Sequence, residues 1–262
     1  LVSFTAAVLL MSFFKMRRAA LLLRDLPVGT AAPTVAPAAP APAPVVPAAR
    51  TRAVTPLAAA PVPAENRKWS GRLRVGHIFQ ETPNVKTFRL INPLGGPLPF
   101  DFLPGQFLTV TIVADGKAVK RSYTIASSPT QHDYAELTVK HEERGVVSGF
   151  FHSHVNEGDL LQCSGPTGTF IFTGRECKCI LLIGGGVGVT PLMSVLRYLL
   201  DRSWDGEIFL LYACRTPADI IFREELEHLQ RRHRNFRATI TISRPEGTDW
   251  KGATGRITKE LI

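Results

Sequence analysis

The sequence predicts a β + α/β chain: a small antiparallel barrel, then a parallel sheet crossed by helices. Three observations carry that expectation. From Trp69 to about Phe172, short segments such as LRVGHIF, VKTFRLI, FLTVTIV, RSYTIA and AELTVK alternate and are separated by Gly, Pro, Asn and Asp turns. That is the pattern of half-buried strands in a closed antiparallel sheet. From Cys179 the period changes: CILLIG reads as a buried strand, PLMSVLRYLLD as a helix, EIFLLYA as a strand, ADIIFREELEHLQRR as a helix and FRATITIS as a third strand. Strands alternating with helices imply a parallel sheet with crossovers. Finally, the first of these strands and its helix are joined by a glycine-rich turn, GGGVGVTP.

Taken in order, the chain opens LVSFTAAVLLMSFFKMRR, fourteen uncharged residues followed by Lys15, Arg17 and Arg18. Fourteen apolar residues fall short of the roughly 20 that cross a bilayer. The chain starts at Leu, so residues 1–18 are expected to finish a partial transmembrane or anchor segment, with the cations and all that follows on the cytoplasmic face. An amphipathic helix from a domain upstream is the alternative. A signal peptide fits worse, because no cationic segment precedes the apolar run. Residues 19–30 form a basic juxtamembrane stretch. Residues 31–68 read as an Ala/Pro-rich linker, with nine of the chain's 20 prolines falling in 31–63. Such a composition forms a semi-rigid spacer of about 3.1 Å per residue. The barrel is expected over 69–172 and the α/β domain over 173–262. TKELI begins a further helix, so that domain ends with three strands made.

Charge excludes one class of function. The formal net charge is +9, but residues 1–68 hold eight lysines and arginines against two acids, whereas the remaining residues hold 23 against 20. The folded part is therefore not a basic domain, and no nucleic-acid motif occurs in it. The four cysteines, Cys163, Cys177, Cys179 and Cys214, form no CxxC pair. They predict no zinc or iron–sulfur site and suit a reducing compartment.

Three stretches carry chemistry. In KRSYTIASSP, Lys120 to Pro129, strand alternation puts Arg121, Tyr123 and Ile125 on one face and Ser122, Thr124 and Ala126 on the other. A cation beside a flat aromatic suits a ligand with a phosphate and a ring; an amphipathic edge strand is the plainer alternative. In GGGVGVTP, Gly184 to Pro191, a glycine turn at a helix N-terminus lets backbone amides approach a pyrophosphate. The turn departs from G-x-G-x-x-G, because its sixth position is Val189, and a tight structural turn is the alternative. In GVVSGFFHSHV, Gly145 to Val155, Ser148 is placed to cap a short helix facing a phosphate, or to cap an ordinary connector. GPTGTF, Gly165 to Phe170, reads alone as a turn closing the barrel.

The order RSYT, G-x-x-S, GPTGTF, GGGVGVTP from Trp69 to Ile262 resembles the ferredoxin–NADP⁺ reductase superfamily, and within it the NAD(P)H-dependent reductases of oxygenase systems. The resemblance implies an antiparallel six-stranded flavin-binding barrel followed by a truncated parallel Rossmann-like nucleotide-binding domain. It implies two cofactors, FAD and NADH or NADPH, with a lean to NADH. By this likeness Arg121 pairs with the FAD pyrophosphate, Tyr123 stacks on the isoalloxazine, Thr124 hydrogen-bonds near its N5 edge, and Ser122 belongs to the same cofactor-binding strand. Ser148 with Gly145, Val146 and Val147 holds the pyrophosphate from the other side, and Val139, Lys140 and His141 line the adenine. Gly184, Gly185, Gly186 and Gly188 hold the nicotinamide dinucleotide, with Thr190 near the meeting of the two rings. Cys214 and Arg215 neighbour its ribose or nicotinamide, and Ser243 and Arg244 its adenosine ribose. Tyr123, Thr124 and Thr190 are thus the expected catalytic residues. The family's closing Cys-Gly-Pro motif and the plant-type [2Fe–2S] cysteine pattern of some relatives do not occur in this sequence.

The function implied is an FAD-dependent NAD(P)H oxidoreductase that passes electrons to an iron–sulfur, haem or oxygenase partner, reached at a membrane through the N-terminus. A non-catalytic nucleotide or flavin sensor, or a membrane adaptor of the same fold, is the alternative. The intact Arg121, Tyr123 and Thr124 set argues against it.

Overall fold

A computed structural model of the chain describes residues 69–259, which lie within one compact unit. The expected anchor, juxtamembrane stretch and linker fall outside the described residues, and so does nearly all of the helix expected from Thr258. Among the described residues no helix is long and apolar enough to cross a membrane.

The first half is a six-stranded antiparallel sheet ordered β4-β3-β6-β1-β2-β5. Its strands are β1 (Trp69–Thr82), β2 (Val85–Ile91), β3 (Phe107–Ala114), β4 (Lys117–Thr124), β5 (Tyr134–Lys140) and β6 (Leu160–Thr167). β1 is long enough to pair with β6 through its first half and with β2 through its second, bending at irregularities between Val75 and His77 and between Gln80 and Thr82. β3 and β4 form a hairpin whose two turn residues, Asp115 and Gly116, have φ of 51° and 71°, as a type I′ turn requires. Just beyond β4, Ile125 bridges Leu137 of β5, which brings the two edge strands together. Inward residues Phe88, Leu90, Leu108, Val110, Ile125 and Leu137 are fully buried. α1 (Val146–Ser153) adds Phe151 to that core.

The second half is a four-stranded parallel sheet ordered β10-β9-β8-β7. It comprises β7 (Cys179–Gly185), β8 (Glu207–Cys214), β9 (Phe236–Ile242) and β10 (Ala253–Thr254), with α2 (Thr190–Asp201) and α3 (Arg223–Arg232) as crossovers. The expectation of three strands is corrected to four. β10 is too short to show a period, pairing with β9 only through Ala253 and Thr254. Leu182, Met193, Leu196, Ile208, Tyr212 and Phe236 are buried between sheet and helices.

Candidate functional site

The end of β4 is where the barrel sequence stops behaving as a core. Arg121 and Ser122 are exposed and Tyr123 and Thr124 half-buried. The Arg121 guanidinium donates only to the Lys120 carbonyl, at 2.7 Å, and has no carboxylate partner among the described residues. Tyr123 is set edge-on to Phe151, with ring centroids 5.3 Å apart, and Phe151 is itself edge-on to Phe88 at 4.8 Å. The tyrosine ring therefore rests on the barrel core. Burial pushes its phenol up to about 12 against the Arg121 cation, so the hydroxyl is neutral at any physiological pH. Ser122 pairs across the hairpin with Thr109 at 3.0 Å, which commits its hydroxyl to the sheet.

Beside this strand lie β5 and α1. Val139 is fully buried, so its side chain is closed to a ligand. Its carbonyl meets His152 Nε2 at 2.9 Å. A carbonyl only accepts, so Nε2 carries the hydrogen and Nδ1 is left as an acceptor. Burial, with Lys86 and His141 nearby, holds the His152 imidazole below its ordinary value despite that bond. Lys140 pairs with Glu142 at 2.9 Å, and the exposed His141 ring stands 5.2 Å from that of His152.

The expected cap of α1 by Ser148 is corrected. The residue at the cap position is Gly145, in an extended conformation with no side-chain cap, and Ser148 lies three residues inside the helix. Its hydroxyl donates to the Gly145 carbonyl and accepts from the Glu142 N–H, both at 3.2 Å. A Cβ at Gly145 would sit 2.2 Å from that hydroxyl, which explains the glycine. Ser148 thus locks the turn in front of the helix. Val147 is buried and Val146 exposed. The first-turn amides at 146–148 have no acceptor within their own helix, and that turn carries no acidic side chain.

The glycine-rich turn falls where the sequence predicts it. β7 ends at Gly185, a 3-10 turn runs Gly186–Val189, and α2 follows. The four glycines differ in reason. At Gly184 a Cβ would come 2.7 Å from Leu192 Cδ1, so glycine lets strand and helix close up, and at Gly185 a Cβ would meet only ordinary contacts. At Gly186, with φ of 51°, and at Gly188 a Cβ would meet nothing within 4 Å, so this backbone faces open space. Thr190 is turned inward, donating to the Val187 carbonyl at 3.0 Å. The buried Tyr212 hydroxyl donates to the Gly186 carbonyl at 3.0 Å and accepts from the Ile221 N–H at 3.3 Å. Burial pushes the Cys214 thiol up to about 11, so it is protonated and inert at neutral pH. Ser243 N–H donates to Cys214 O at 3.0 Å and Arg244 N–H to Arg215 O at 2.8 Å. The structure thereby brings Gly184 to Gly188, Cys214, Arg215, Ser243 and Arg244 to the carboxyl edge of the parallel sheet, where open α/β sheets bind their ligands.

One group of residues escaped the sequence reading. Arg197, set among the apolar residues of α2, binds Glu136 of the barrel and Glu225 of α3. With Arg89 and Glu81 they line a cavity of about 560 Å³ where β1, β2 and β5 meet α2 and α3. None of the expected site residues lines it. A charged residue amid PLMSVLRYLLD was the available signal, since a charge on a core-facing helix is kept only where it is paired.

Two family models match the chain: an oxidoreductase FAD-binding domain over residues 73–172 and an oxidoreductase NAD-binding domain over 182–262. The chain is 38% identical over 205 residues to the glycine betaine monooxygenase reductase subunit of Chromohalobacter salexigens, covering 76% of this chain and 55% of that protein. It is 31% identical to NADH-cytochrome b5 reductase 1 of Dictyostelium discoideum, covering 76% of this chain and 68% of that protein. Among solved structures, the FAD/NAD-binding domain of nitric oxide dioxygenase from Vibrio cholerae superposes with a TM-score of 0.66 at 25% identity, over 73% of this chain and 81% of that one. The chain spans just over half of the first relative's length. A barrel ending in an uncommitted arginine and a core-braced tyrosine, a glycine turn open to solvent and these matches agree: the chain belongs to the ferredoxin–NADP⁺ reductase-type family of FAD- and NAD-binding oxidoreductases.

Proposed function

We propose that this protein takes hydride from NADH onto FAD and hands electrons to an iron–sulfur, haem or oxygenase partner. The observation that carries the reading is the end of β4, where an exposed guanidinium with no carboxylate partner among the described residues stands two positions from a neutral, core-braced phenol ring. The residues fit FAD: Arg121 offers phosphate oxygens an exposed guanidinium with no carboxylate partner among the described residues, Tyr123 a flat face, and α1 a first turn without acids. The open backbone at Gly186 and Gly188 fits a second dinucleotide.

Bound FAD would supply the conversion of a two-electron donor into one-electron steps. The chain's own part is to hold and orient: Arg121 anchors phosphate, Tyr123 fixes the plane of the ring, and Thr124 offers a hydroxyl with no partner among the described residues. Thr190 braces the glycine turn. The names of two relatives, an NADH-cytochrome b5 reductase and an NADH oxidoreductase, favour NADH; the exposed Arg215 and Arg244 would instead favour NADPH if they clamped a 2′-phosphate. The uncharged run before Lys15, Arg17 and Arg18, and the proline-rich stretch after it, support attachment at the cytoplasmic face of a membrane.

Full-length protein supplied with FAD is expected to oxidise NADH with a one-electron dye as acceptor, and to favour NADH over NADPH. Absence of dye reduction with either nucleotide overturns the reading. The full-length chain is expected to pellet with membranes after gentle lysis; recovery in the supernatant contradicts the attachment alone.

A further inference from the structure

The segment that leaves the flavin strand is shared between the two halves: the Ala126 N–H donates to the Glu136 carbonyl of β5 at 2.8 Å, while its side chain faces the other way. Ile125 is buried in the barrel core, but Ala126, next to it and also fully buried, belongs to the core of the parallel domain. What covers it is one face of α2. Ser194, Arg197 and Asp201, spaced i, i+3 and i+7, lie along a single helix face. Each grips this segment. Ser194 Oγ donates to the Ser127 carbonyl at 3.0 Å and accepts from the Gly105 N–H at 3.2 Å. Arg197 Nη1 donates to the Ala126 carbonyl at 2.8 Å, and the Thr130 hydroxyl donates to Asp201 at 2.5 Å. Ser194 is fully buried and the Arg197 side chain is 15% exposed.

Arg197 is held from every side. Its Nε and Nη2 bond Glu225 at 2.7 and 2.5 Å, and Nη1 also reaches Glu136 at 3.2 Å. Glu136 in turn accepts from Arg89 at 2.8 and 3.1 Å, and its own N–H donates to Ser127 Oγ at 3.1 Å. The guanidinium lies 4.8 Å over the Phe222 ring, and Phe222 has a left-handed backbone, φ 59°. Such a conformation in a bulky residue persists only where its surroundings impose it.

We propose that Ser194 and Arg197 are positioning residues that set the separation of flavin and nicotinamide. The proposal rests on the FAD and NADH reading above. α2 begins at the glycine turn, and Arg197 lies seven residues along it, about 10 Å at 1.5 Å per residue. Its hold on Ala126 falls two residues beyond Thr124. The nicotinamide-side turn and the flavin-side strand are thereby joined through one helix face and a very short stretch of chain. Neither residue touches either cofactor site; both act through the segment they hold.

The test uses full-length, FAD-loaded protein with Arg197→Lys and Ser194→Ala. Lysine keeps the charge between the two glutamates but loses the fork, and alanine leaves the ion pairs intact should the lysine variant fold poorly. Wild type should be reduced rapidly by saturating NADH in anaerobic stopped flow. In each variant that limiting rate should fall at least roughly tenfold, since a displacement near 1 Å can cost more. FAD affinity, KM for NADH and the rate at which pre-reduced protein gives electrons to ferricyanide should stay near wild type. Amide hydrogen exchange at 125–130 should quicken in flavin-free protein too. Wild-type reduction rates in both variants overturn the proposal. So does a fall in FAD affinity, melting temperature and rate together, which marks a merely structural role. A wild type that binds no FAD, or is not reduced by NADH, overturns the reading beneath it and the proposal with it.

Discussion

Arg121 stands exposed and, among the described residues, bonds its neighbour's carbonyl alone, whereas Arg197 is largely buried and bonds two carboxylates and a carbonyl. Their substitutions should separate accordingly. Arg121→Ala removes a charge-assisted bond of about 1.5–3 kcal/mol, so FAD affinity should fall on the order of 10- to 100-fold. The melting temperature of flavin-free protein should hold; a collapse there would make Arg121 structural. Burial also sets an alkaline limit. The Tyr123 phenol is pushed up to about 12 from 10, and the buried Cys163 thiol to about 12 from 9. Both pKa values are raised on folding, so the unfolded chain loses these protons first. The stability involved is whole below pH 9 and is lost as pH rises from there toward 12. The urea midpoint should decline over that window, and less steeply in Cys163→Ala; a flat profile would contradict the burial of both groups.

The glycine turn and the flavin strand show what elements disclose through sequence and what they hide. Gly184 and Gly188 read alike in GGGVGVTP, yet only the first is crowded. Gly184→Ala should destabilise by about 1–3 kcal/mol through overpacking against Leu192. Gly188→Ala should fold normally and raise the KM for NADH; an unchanged KM would remove that backbone from the nucleotide site. The glycine turn was legible because backbone approach to a pyrophosphate demands glycine in a fixed place between strand and helix. The strand was legible only as far as Ile125. Alternation assigns Ile125 and Ala126 to opposite faces, one buried and one open, but α2 covers the second face and both are fully buried. Ser148 suits a cap by residue type alone. Its true place, inside the helix and bonded back to Gly145, depends on where the helix starts, which residue type does not fix.

Across the whole molecule, the order of motifs exposed the two-part fold because each half has its own period, two residues in the barrel and a strand–helix alternation after it. The junction between the halves was not legible. Arg197 and Glu136 lie 61 residues apart, and no local pattern links a helix of the second half to a strand of the first. β10 was missed for a related reason, since its pairing with β9 spans only Ala253 and Thr254. Every residue role at the two cofactor sites depends on a flavin held at the end of β4 within reach of a nicotinamide at the glycine turn. The most direct test is to titrate FAD into the purified full-length chain and then add NADH without oxygen. One FAD per chain should bind, giving a yellow flavin colour that NADH bleaches, because the flavin is the group that accepts the hydride. A folded protein that stays colourless with added FAD, or a bound flavin that NADH leaves oxidised, would contradict it and leave a nucleotide-binding fold without electron transfer.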